Sequence, residues 1–175
     1  MNDQDAIDLA LLVFRCGVGA VMLAHGINHI YGGGKIAGTA RWFGSMGMRQ
    51  PLVQAWLASL TEIGAGLALV AGLLTPFGGA GVVGVMAVAW LINHRGNGFF
   101  IFRPGEGWEY VMTLLLCGVL LGAVGPGEWS LDEALGIRDD LIGWPGLLIA
   151  ALAGGGGALA LLAAFWRPAP KTTPG

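Results

Sequence analysis

Five apolar runs set the rhythm of the chain, at Ala6–Ala24, Ala55–Leu74, Phe77–Ile92, Trp108–Val124 and Pro145–Trp166. A helix needs about 20 apolar residues to cross a hydrocarbon core about 30 Å thick, so the pattern predicts five transmembrane helices. Thr75-Pro76, between the second and third runs, reads as an N-cap followed by a first-turn proline and predicts a tight helical hairpin. The polar stretch Gly26–Gln50 predicts a short helix capped by Thr39, with Trp42, Phe43 and Met46 in the lipid boundary and Arg41 toward the headgroups. Ser130-Leu131-Asp132-Glu133 has the capping-box spacing and predicts a brief helix beside Trp129.

Composition settles the class. The 175 residues are 55% hydrophobic and only 11% charged, with a mean hydropathy of +0.69, which excludes an ordinary soluble domain. The fold expected is all-α, a single transmembrane domain over residues 1–166 with no soluble domain of any size. The N-terminus lacks the basic flank and small-residue cleavage site of a secretory signal, so the first helix is expected to be retained. With the N-terminus outside, Lys35, Arg41, Arg49, Arg95, Arg103, Arg167 and Lys171 fall inside and only Arg138 outside, which predicts a cell-membrane protein with a cytoplasmic C-terminus. Residues 167–175, with three prolines, read as a disordered cytoplasmic tail. The near-neutral net charge of -2 says nothing about nucleic acid, and no nucleic-acid partner is expected. Gly154-Gly155-Gly156-Gly157 in the last run lets helix backbones approach closely, either within the bundle or in a homo-oligomer.

Ionisable residues at membrane depth are costly, which makes them the first candidates for function. Arg15 lies inside the first run and Glu62 inside the second, with depths that agree to about 6 Å at ~1.5 Å per residue, so a structural ion pair between them is expected. Asp8, seven residues before Arg15 on nearly the same face, competes as its partner. His25 and His29 share one helix face, four residues apart, and His94 and Glu109 are delivered to the same edge by other helices. Together His25, His29, Glu62, His94 and Glu109 form the expected ligand site, walled by Trp42, Phe99, Phe100, Trp108 and Tyr110. Its imidazoles suit the carbonyls of a quinone ring. Cys16 and Cys117, a hundred residues apart, make no CxxC pair, and no metal set is expected. No nucleophile triad, phosphate loop or dinucleotide fingerprint is present, so a redox step would need a bound quinone, a metal or a partner protein.

The order of His25-Gly26, Tyr31-Gly32-Gly33, Gly38-Thr39-Ala40, Trp42-Phe43-Gly44-Ser45-Met46-Gly47, Glu62, Asn97-Gly98-Phe99-Phe100 and Gly107-Trp108-Glu109-Tyr110 resembles the DoxX family of small membrane proteins, over about Leu9 to Asp132. The resemblance implies a four-helix membrane core, to which the helix at 145–166 is an addition. It also implies an association with membrane oxidoreductase complexes and with defence against oxidative and thiol stress, and it matches Arg15, His25, Glu62, His94 and Glu109 to the family's intramembrane polar positions. His29 departs from the lysine usual at that position. Three functions follow as expectations. The first is a redox-associated subunit binding a quinone or similar lipid-soluble carrier at the cytoplasmic edge. The others are a non-catalytic anchor recruiting soluble oxidoreductases and a small-solute or proton carrier using Arg15 and Glu62.

Overall fold

The computed structural model describes residues 3–168, and among them the secondary structure is helical, with no strand beyond a single bridge between Met48 and Trp166. Four helices are long and apolar enough to cross a membrane: α1 (Asp3–Tyr31), α3 (Pro51–Ala71), α4 (Thr75–His94) and α8 (Trp144–Phe165). Helix α2 (Lys35–Ser45) joins α1 to α3, and the short α6 (Leu131–Ala134) and α7 (Arg138–Leu141) lie between α5 (Glu109–Val124) and α8. The expected transmembrane bundle is what forms. Of the five predicted spans, α5 falls short, its 16 residues covering about 24 Å. It stops where Gly125 and Gly127 take positive φ around Pro126, a sequence that cannot continue a helix. The expected tail at 167–175 lies mostly outside the described residues.

Small residues set how closely the helices pack. A Cβ on Gly19 or on Gly66 would sit 2.8 Å from the other's carbonyl oxygen, so α1 and α3 touch backbone to backbone. On α8 Gly146 packs on the Gly122 carbonyl of α5, and of the glycine run only Gly154 is used this way, seated on the Ala80 carbonyl of α4, while Gly155, Gly156 and Gly157 have open space around them. Val18, Met22, Leu69, Val82, Met86 and Leu121 fill the core between α1, α3, α4 and α5.

One end of the bundle is locked by charge. Asp132, fully buried, accepts from Leu74 N at 2.6 Å, Thr75 N at 3.0 Å and Thr75 Oγ1 at 2.8 Å. The N-cap of α4 therefore comes from a carboxylate far along the chain rather than from Thr75, which lies inside the helix; the tight α3–α4 hairpin itself is as expected. The Ser130 hydroxyl accepts from Glu133 N, the capping box read from the sequence. Asp8 accepts from Glu128 N at 2.8 Å and ties the α5–α6 loop to α1.

The opposite end, called here the histidine end, carries α2 and the 95–108 loop. Helix α2 begins at Lys35 after the Gly32-Gly33-Gly34 break, four residues before the expected cap. Thr39 is thus interior to α2, and its hydroxyl donates to His29 O at 3.0 Å. Phe43 turns inward, buried with Met48 and Leu162, rather than into the lipid boundary. Around the end of α8, Arg49 N donates to Phe165 O, Arg167 N to Gly47 O and the Trp166 indole to Met46 O, which staples α8 to the α2–α3 connection.

Candidate functional site

Between α1, α3, α4, α5 and α8 the histidine end opens into a cavity of about 430 Å³. That volume lies in the range of small-molecule sites, which are mostly apolar with a few converging polar groups. Here the polar groups are His25, His29, Gln54, Thr61, Glu62, His94, Glu106 and Tyr110, and no lysine or arginine is among the lining residues.

Each polar group is held by a particular element. The last turns of α1 present His25 and His29 on one face, as their spacing requires. Within the site they separate: His25 Nε2 bonds the Tyr110 hydroxyl at 3.1 Å, and His29 Nδ1 lies 3.0 Å from Glu62 Oε2. The His29–Glu62 contact is electrostatic and off the hydrogen-bonding direction, so both atoms keep their hydrogen-bonding capacity unused. Glu62 is 2% exposed, in the middle of α3, which makes His29 the compensating group for a carboxylate at membrane depth.

His94 closes the π-helical turn Trp90–His94 at the end of α4. Its Nδ1 lies 2.8 Å from the Glu106 carbonyl, and because a carbonyl only accepts, that nitrogen carries the proton. Nε2 is then the acceptor, 3.3 Å from the Asn93 amide. Asn97 donates to the Asn93, Gly105 and Glu106 carbonyls, and Trp108 stacks on Trp90 with ring centres 5.2 Å apart. These bonds fold the 95–108 loop back over the cavity, where Ile101 and Glu106 join its lining.

Two expectations about the site residues do not hold. Arg15 and Glu62 are not a pair: Arg15, 2% exposed, donates Nη1 to Leu69 O and Val70 O and Nη2 to Trp129 O, at the end away from the histidines. The last carbonyls of α3 are unpaired within the helix, and a buried guanidinium satisfies them as well as a carboxylate would satisfy it. Asp8, the competing partner, is used on Glu128 N. Glu109 also lies apart from the cavity, its Oε2 accepting from Ile101 N at 3.1 Å. The fold-back of the loop places Glu106 where Glu109 was expected. His25, His29, Glu62 and His94 do converge, and Tyr110, read as an apolar wall, is a polar member of the group. Among the described residues no three His, Cys, Asp or Glu side chains are grouped to hold a metal ion.

Imidazole, phenol and carboxyl groups all exchange protons and hydrogen bonds, and the cavity offers them without a fixed cation. A DoxX family model matches residues 10–95. The chain belongs to the DoxX family. The matched segment holds α1 to α4, hence His25, His29, Glu62 and His94 of the DoxX cavity; Glu106, Tyr110 and α8 are contributed from beyond it. No curated protein and no solved structure matches the chain.

Proposed function

We propose that this DoxX protein binds a lipid-soluble carbonyl compound, a quinone or a close analogue, with its ring at the histidine end of the bundle, and serves as a redox-associated membrane subunit. The observation that carries the reading is the cavity of about 430 Å³, whose mostly apolar lining includes His25, His29, Glu62, His94 and Tyr110. Ring carbonyls need hydrogen-bond donors, and Tyr110, His25 and His29 are donors within reach of one bound ring. The lack of lysine or arginine in the lining, with the Glu62 carboxylate buried there, disfavours a phosphate or carboxylate ligand and favours a neutral head.

In this reading the histidine end faces the cytoplasm. Lys35, Arg41, Arg49, Arg95, Arg103 and Arg167 all belong to segments at that end, and Arg138 to the other. The chain has no electron carrier of its own, so electrons would come from a partner oxidoreductase meeting the site at the membrane surface. Isolation in mild detergent followed by extraction and mass spectrometry tests the reading: a quinone retained in near-stoichiometric amount from wild type and depleted in His29→Ala and His94→Ala supports it. Equal, trace quinone in all three contradicts it.

A further inference from the structure

Hydrogen-bonding capacity is unevenly spread over the cavity. α3 runs inward from the histidine end, and Glu62 is the last of its residues in the lining, about 16 Å in from Pro51 at ~1.5 Å per residue. Glu62 is 2% exposed, and no described residue donates a hydrogen bond to its carboxylate. A carboxylate has about four lone-pair sites, and burying it without donors is costly. The His29 imidazole, 3.0 Å away but off the bonding direction, offsets charge without supplying that bond. Nearby donors are largely committed. In the neutral ring of His94 the one N–H is spent on the Glu106 carbonyl. His25 and Tyr110 bring one N–H and one O–H, and their mutual bond uses one of the two. Gln54 and Thr61 both donate and accept, so they favour neither kind of ligand atom. With no lysine or arginine in the lining, the donor that Glu62 lacks has to come from the ligand.

Resting on the function proposed above, we infer that the site binds the reduced, dihydroxy form of its quinone more tightly than the oxidised, dicarbonyl form, because a ring hydroxyl donates to the Glu62 carboxylate. A quinone carbonyl brings only lone pairs, which meet the lone pairs of the carboxylate. Hydroxyls accept as well as donate, so the reduced form also keeps whatever donors the oxidised form could use. Hydrogen bonds to an ionised acceptor are the strong ones, which sets the expected preference at about tenfold or more. The two forms differ by two electrons and two protons. A tenfold tighter grip on the reduced form therefore raises the potential of the bound couple by about 30 mV and makes bound quinone easier to reduce.

The test titrates full-length protein in nanodiscs, anaerobically and at neutral pH, with decylbenzoquinone, decylhydroquinone and the dimethyl ether of the hydroquinone, which keeps the ring and loses the hydroxyl protons. Wild type should bind the hydroquinone about tenfold or more tighter than either of the others. Glu62→Gln, whose amide can donate to a carbonyl, should bring quinone and hydroquinone within about twofold of each other. The wild-type order among the three ligands tests the inference even where that variant fails to fold. Quinone bound as tightly as hydroquinone or more so, ether bound as tightly as hydroquinone, or a preference that survives Glu62→Gln overturns the inference while the function proposed above stands. If wild type binds none of the three, the function proposed above fails, and the inference with it.

Discussion

Replacing Arg15 by methionine isolates the lock at the end of the bundle away from the histidines. The guanidinium donates to Leu69 O, Val70 O and Trp129 O. Leu69 O also accepts from Gly72 N, so its loss is partly covered, whereas Val70 O and Trp129 O lose their only strong donor among the described residues. Hydrogen bonds in membrane proteins average about 0.6 kcal/mol and reach about 1.7, so the three together are worth roughly 2–5 kcal/mol. Arg15→Met keeps the aliphatic bulk and should lower unfolding free energy by that amount in an SDS titration from mild detergent. Because Glu62 contacts His29 at the other end, Arg15→Met and Glu62→Gln should add within about 0.5 kcal/mol. A coupling above about 1 kcal/mol, or an Arg15→Met loss below about 0.5, would refute the reasoning.

Asp132→Ala removes the cap of α4 and its bond to the Thr75 hydroxyl, and should cost about 1–3 kcal/mol in the same titration; unchanged stability would argue against the cap. Glu109→Ala should leave quinone-analogue affinity within about twofold while speeding hydrogen exchange at the Ile101 amide, whereas His94→Ala should weaken binding by about tenfold, and the reverse order would move the site. Single cysteines introduced at Asp5 and at Arg167 should label from opposite sides of the membrane, Arg167 from the cytoplasm; labelling of both from one side would overturn the proposed orientation.

The membrane class and the helix order were legible because apolar length is a one-dimensional signal. So was the convergence of His25, His29, Glu62 and His94, since depth along a helix follows from counting residues. What escaped depends on which way side chains and loops turn. Arg15 and Glu62 have similar counted depths, yet Arg15 reaches up to the carbonyls at the α3 terminus, and nothing in their spacing separates a carboxylate partner from a backbone one. Thr75 has the residue type of a cap, but Asp132 supplies it from a distant loop. Glu106 replaces Glu109 because the 95–108 loop folds back through His94 and Asn97, a tertiary arrangement with no local pattern. The glycine run of α8 reads as one feature, whereas only Gly154 of the run packs on α4 and Gly157 borders the cavity.

The most direct test of the central claim is photo-crosslinking with an azidoquinone in nanodiscs, with the modified residues located by mass spectrometry and competition by unlabelled quinone. The account predicts competed adducts confined to the cavity lining, within 25–29, 54–62 and 94–110. Adducts spread over the lipid-facing residues of α1, α3 and α8, undiminished by competitor, would contradict a quinone site at the histidine end.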